Sequence, residues 1–161
     1  MKLNAGFTGA SFFDAPKVIR AVTKTEHRVL SRFGAIVRRR AKTSIGKRKA
    51  TSDPGDPPSS HTGWLKRMIF FGFDLRTRSV VVGPQLYGRG NADALEFGGD
   101  AKRWEKRWEG GKWRQMYGNR SLRPGEEMRV RKFKIAARPF MGPAFQDALP
   151  ELPAMWRNSI R

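Results

Sequence analysis

Residues 14–46 read DAPKVIRAVTKTEHRVLSRFGAIVRRRAKTSIG, and their spacing decides the fold. Val18, Val22, Val29, Phe33, Ile36 and Val37 recur at three- and four-residue steps, the period of a helix with one apolar face. Asp14 is placed to cap the start, Pro16 falls in the first turn where its missing N–H is harmless, and Gly46 follows as a stop. The spacing predicts a helix from about Pro16 to Ile45. Its last turns carry Arg38, Arg39, Arg40 and Lys42, and Lys47, Arg48 and Lys49 follow. Cations at a helix C-terminus are favoured by the macrodipole, so part of this cluster has a structural cause.

Downstream, residues 46–60 are rich in Pro, Gly and Ser and predict a flexible or extended loop. Trp64 to Phe73 and Ser79 to Val82 read as two strands of an antiparallel hairpin, and Asn91 to Phe97 as a brief helix capped by Asn91. Residues 98–125 form a basic, Trp-rich excursion, read as a flexible arm or a projecting hairpin, with Lys102, Arg103, Trp104, Lys106, Arg107, Trp108 and Trp113. Glu127 to Ala137 alternates like a strand, and Pro143 opens a last helix that Pro150 and Pro153 interrupt. The order implies one α+β domain over residues 1–161: a long N-terminal helix packed on a small, mainly antiparallel sheet, with a C-terminal helix and extended loops.

The net charge of +19 implies a negative partner, because self-repulsion of this size is otherwise unrelieved. DNA, RNA and an acidic protein surface all qualify. The absence of cysteine excludes disulfides, thiolate zinc sites and thiol nucleophiles. No stretch approaches the roughly 20 apolar residues of a membrane span, and Met1 to Phe13 lacks a leader's basic-then-apolar pattern, so synthesis and use in the cytoplasm are expected.

A catalytic constellation is not visible. His27 lies among surface residues of the long helix, and His61 has no serine or cysteine motif beside it. Asp93, Glu96 and Asp100 form the only carboxylate group with metal-site spacing, and capping or ion pairing explains it better. No enzyme, metal or cofactor is expected. Two basic segments are candidate contacts to DNA or an acidic partner: Arg38 to Lys49, and Lys102, Arg103, Lys106 and Arg107. Trp104 and Trp108, four apart, either stack on bases or form one apolar stripe against a neighbouring subunit, as does Trp113; the subunit contact is favoured slightly.

Three short motifs in order carry a family resemblance. Pro54-Gly55-Asp56-Pro57-Pro58 precedes His61-Thr62-Gly63-Trp64-Leu65-Lys66; Leu95-Glu96-Phe97-Gly98 follows; and Arg138-Pro139-Phe140-Met141-Gly142-Pro143-Ala144 closes the series. Together they resemble the neck proteins, also described as head-to-tail joining or tail-completion proteins, of long-tailed bacteriophages and prophages. Gly99 stands where that family usually has threonine, and the stretch from Lys102 to Arg123 is longer than its usual connection.

The resemblance implies a virion subunit of a homo-oligomeric ring through which DNA passes. Its partners would be an adjoining head-closure or connector protein and a tail-terminator or tail-tube protein, with non-specific contact to packaged DNA and none to membrane. Gly63, Leu65, Glu96, Phe97, Gly98, Arg138, Pro139, Phe140 and Pro143 would maintain the fold. Within that frame Gly98 is expected to stop the short helix in a left-handed conformation, and Phe140 to enter the core. Glu96 is expected to pair with Arg138, and truncating Phe97 or Phe140 to remove about 3–5 kcal/mol.

Overall fold

The computed structural model describes residues 14–47, 50–85, 92–116, 122–157 and 159. Helix α1, Ala15–Ser44, is capped by Asp14, whose Oδ1 accepts from Lys17 N at 3.0 Å, and Pro16 sits in its first turn. Ile45 leaves it in an extended conformation. The core begins only at Thr25 and Val29. Val18 and Val22, expected on the buried face, are 43% and 37% exposed, so the first turns of α1 run past the packed body.

The strand expected over Trp64–Phe73 is two elements. Gly63, at φ 72°, leads into a single turn, α2 (Trp64–Arg67), and strand β1 starts at Ile69. Trp64, Leu65 and Met68 follow helical spacing rather than alternation, and Leu65 is thereby turned onto the core. Strands β1 (Ile69–Asp74) and β2 (Ser79–Pro84) then pair antiparallel, Ile69 opposite Pro84 and Asp74 opposite Ser79. The turn closes on Asp74, which accepts from Thr77 Oγ1 at 2.7 Å and Arg76 N at 2.9 Å; these bonds hold its carboxyl below the usual carboxylate range.

Helix α3 (Ala92–Phe97) leads into β3 (Gly99–Trp108), which pairs with the two-residue β4 (Arg114–Gln115) on one side and β5 (Glu126–Ile135) on the other. The excursion is therefore a projecting hairpin. Helix α4 (Met141–Ala148), a 3-10 turn (Leu149–Glu151) and α5 (Leu152–Trp156) finish the chain, the prolines falling where the helix changes type. The long N-terminal helix, antiparallel sheets of two and three strands and C-terminal helix make an α+β fold. Asn91, proposed as a cap, lies outside the described residues.

The core is α1 held between the β1–β2 hairpin and α4–α5. One cluster joins Ala41, Ile45, Ile69, Phe140 and Ala144; the other joins Phe33, Val37 and Ala148, with Val80 and Val82 packed on it. The approach of the hairpin to α1 requires Gly34. A Cβ there would stand 2.5 Å from Val80 Cγ2 and 3.1 Å from the Phe71 ring. Phe140, 1% exposed, is buried as expected, but Phe97 is 80% exposed and is not a core residue. Leu95 packs inward, and a residue two positions later on a helix points roughly 200° away.

Candidate partner-binding surfaces

The three sequence motifs meet at one place. Glu96, at the end of α3, caps α4 across 44 or more residues of chain: Oε2 accepts from Phe140 N at 2.9 Å and Met141 N at 3.0 Å, and Oε1 from Gly142 N at 2.7 Å. A carboxylate on a helix's free N–H groups is matched by charge and geometry. The expected Glu96–Arg138 ion pair is not formed. Arg138 instead donates from Nε to Ser52 O at 3.0 Å, and its backbone N donates to Leu95 O at 2.6 Å.

Gly55 N donates to Ala137 O at 2.8 Å and Ser60 N to Gly46 O at 2.8 Å, so the Pro-rich segment is an extended strap tied to the body. Pro139 fixes the turn between Arg138 and Phe140, and Pro143 lies in the first turn of α4. Gly98 has φ 75°, and a Cβ on it would stand 3.1 Å from Ala137 N, so a side chain there is disfavoured both by backbone strain and by crowding.

From this knot the β3–β5 hairpin projects about 33 Å. Opposed residues of an antiparallel pair share a face. On one face Glu105, only 3% exposed, accepts from Arg103 Nε at 2.9 Å and from Arg129 Nε at 2.9 Å, while Arg131 stands 3.9 Å away. The Arg129 hydrogen bond, then that from Arg103, holds the Glu105 carboxyl below its ordinary value against the opposing effect of burial. Trp113 lies on this face, its ring centre 4.7 Å from the Arg107 guanidinium and 4.1 Å from that of Arg129. It is engaged within the chain and does not share the stripe of the other tryptophans.

Trp104 and Trp108 do share a face, through strand alternation, with Val130 opposite Trp104, Met128 opposite the intervening Lys106 and Glu126 opposite Trp108. Trp108 is 58% exposed, Val130 41% and Met128 40%, leaving apolar surface around the Lys106–Glu126 ion pair on this face of the arm. Three of the four candidate cations here are neutralised: Arg103 by Glu105, Lys106 by Glu126 at 2.7 Å, and Arg107 by Glu127 at 2.8 Å. Among them Lys102 alone has no ion pair among the described residues.

The cations at the end of α1 are arranged differently. Arg40 pairs with Glu151 on the far side, and Arg38 Nε donates to Ile69 O at 2.8 Å. Arg38, Arg39 and Lys42 line an open depression of about 440 Å³ together with Lys66 of α2, and among the described residues no carboxylate lines it. Partial burial, then the neighbouring Arg38, lowers the Lys42 pKa. Lys47 is exposed, and Arg48 and Lys49 lie outside the described residues.

No family model, curated protein or solved structure matches the chain. Two functional features escaped the sequence reading. Glu96 as a cap for a distant helix had no local signal. The cations Lys17, Arg20, Lys24, Arg28 and Arg32 did have one, since they too recur at three- and four-residue steps along α1.

Proposed function

We propose that the chain is a structural subunit of a ring at the head-to-tail junction of a long-tailed phage, a neck or tail-completion protein through which DNA passes, and that it works without catalysing a reaction. The observation that carries this reading is the knot. The three motifs on which the resemblance stands are one hydrogen-bonded unit, joined by Glu96 to α4, by Arg138 to Ser52 and by Gly55 to Ala137. Residues scattered over 90 positions have a shared structural reason to occur together.

The hairpin supports the same reading. A ring is closed by heterologous contacts, in which an arm of one subunit rests on a different surface of the next. Trp108, Met128 and Val130 put exposed apolar surface on such an arm, around the Lys106–Glu126 pair. Head-closure or connector and tail-terminator or tail-tube proteins would lie above and below the ring. Particles assembled without the chain should appear in negative stain as full heads beside detached tails, with the chain recovered in joined virions from the parent. Joined particles without it, or virions lacking it, would overturn the proposal. A second reading, a free non-specific nucleic-acid-binding protein, is favoured by the uncompensated cations of α1; it predicts DNA binding by the chain together with absence from virions.

A further inference from the structure

Helix α1 has nine cations and a single acid, Glu26, which is taken up by Arg78 of the β1–β2 turn. At about 100° per residue, Lys17, Arg20, Lys24, Arg28 and Arg32 fall on one arc of about 120°. Arg38, Arg39 and Lys42 fall on the same arc; Arg40 points the other way, to Glu151. Only Ala21, Ser31 and Ala35 share the arc, so it holds no acid and no large apolar side chain. Its centre is opposite the buried line of Val29, Phe33 and Val37. None of these eight makes an ion pair among the described residues, while Arg28 and Arg38 each donate to one backbone carbonyl, that of Ser159 and that of Ile69.

Helix formation does not account for that pattern. Arg20–Lys24, Lys24–Arg28, Arg28–Arg32 and Arg38–Lys42 are like-charge pairs four apart, each opposing the helix by about 0.2–0.5 kcal/mol. The macrodipole favours cations at the last turns only, and Lys17 and Arg20 sit at the wrong end. A solvated face with mixed charge would serve the helix better.

We infer that the outer face of α1, continued by Lys66, is a docking track for the phosphate backbone of duplex DNA. The track from Lys17 to Lys42 runs along about 37 Å of one helix, close to one turn of duplex, over which DNA presents about 20 phosphate charges. Duplex DNA is itself stiff on this length, so a rigid row of cations meets a rigid row of anions. An acidic protein is the poorer fit. Protein interfaces rely on apolar anchors, and this arc has none, whereas phosphate contact is driven by counterion release. The Lys42 pKa is lowered first by partial burial and then by Arg38, in keeping with an ammonium that has a cation beside it and no ion-pair partner among the described residues.

The proposal deepens the ring reading by naming the face that meets DNA, but its test needs only the purified chain. A labelled duplex of about two turns is titrated by fluorescence anisotropy over a salt series. Arg20→Gln, Lys24→Gln, Arg32→Gln and Arg39→Gln are combined in one variant; Lys102→Gln, Arg114→Gln, Lys132→Gln and Lys134→Gln, on the hairpin, form the control with the same charge loss.

The α1 variant should bind at least tenfold more weakly and flatten the log–log salt slope by about 3.6, at about 0.9 per phosphate lost. The control should change affinity by less than about threefold. Equal losses in the two variants would reduce the effect to net charge and overturn the proposal, as would displacement of the duplex by polyglutamate as readily as by unlabelled duplex. Should the fourfold variant melt early, Arg39→Gln alone should still flatten the slope by about 0.9, and an unchanged slope would overturn the proposal. Loss of DNA binding leaves the particle experiment untouched, and absence from virions leaves this one untouched.

Discussion

The outer face of α1 and the β3–β5 hairpin are both dense in lysine and arginine, yet they differ in how far the chain supplies counter-charge: Arg103, Lys106, Arg107 and Arg129 of the hairpin are ion-paired, and the outer row of α1 is not. On the hairpin, Glu105, Glu126 and Glu127 are set among the cations and the guanidinium groups are held in place. On α1 the cations stand in a row and the one acid lies on another face. A charge count therefore does not locate a polyanion site. What locates it is whether the chain supplies its own counter-charge: where it does, the cations build structure, and where it does not, they are left for a partner.

The largest expected effect concerns the body to which both regions are fixed. Phe140→Ala should lower the unfolding free energy by about 3–5 kcal/mol in urea melts, because Phe140 fills the space between α1 and α4. Phe97→Ala should stay within about 0.5 kcal/mol, since its ring is in solvent. Equal losses in the two variants would mean that the hairpin base is packed differently, and would remove the distinction between a fixed body and a projecting arm.

Next is the joint between them. Glu96→Ala takes the cap from α4 and should cost about 0.5–2 kcal/mol, in the range of helix N-caps. Amide exchange of residues 140–142 should quicken, while α1 keeps its protection. Glu96→Gln should recover part of the loss, because an amide oxygen still accepts from the N–H groups but lacks the charge that complements the dipole. Full recovery would show that charge plays no part in the cap.

A pH series then separates the two surfaces. Both Glu105 and Glu126 are held below their ordinary value of 4.5, Glu105 first by Arg129 and Glu126 first by the Arg123 backbone N–H and then Lys106. A carboxyl whose pKa is lower folded than unfolded gives its full stabilisation above the unfolded value and loses it as pH falls through the folded one. Hairpin order, followed by Trp fluorescence, should thus be constant above about 5 and decline below about 4.5. Helix α1 has no carboxylate on its outer face to bring such a dependence. Simultaneous loss of helix signal and hairpin signal would tie their stabilities together.

Much of this was legible in the sequence, and the failures have physical causes. Helix α1 was legible because its apolar period is sustained, and Gly98 because a left-handed stop has few substitutes. Residues 64–68 were misread because their aromatic and apolar content was weighed above their spacing, which is that of a turn of helix. Phe97 is assigned to the fold through the Leu95-Glu96-Phe97-Gly98 motif, whereas in the structure Leu95 takes the inward side of α3 and Phe97 is left in solvent. The partners of Glu96 and Arg138 depend on chain crossings that no local pattern encodes. The cations of the α1 row lie at three- and four-residue steps, sparse in its N-terminal half and contiguous only at Arg38–Arg40, so the row is visible only once the helix places them on one face.

The smallest effect tests the comparison most directly. Lys24 is exposed, with Arg20 one turn before it and Arg28 one turn after. Lys24→Glu would turn two repulsive pairs into attractive ones, with Glu N-terminal to Arg28 in the favoured order, and should raise stability by about 0.5–1 kcal/mol. For a chain of this size that is a rise in melting temperature of about 2–4 °C, diminishing with added salt. The same change should weaken duplex binding, so that stability and binding move in opposite directions. On the hairpin the corresponding exchange has the reverse sign: Glu105→Lys would put a cation among three arginines and destabilise the arm. A less stable Lys24→Glu protein would mean that Lys24 already has a counter-charge within the chain, and the contrast between the two surfaces would fail at its central point.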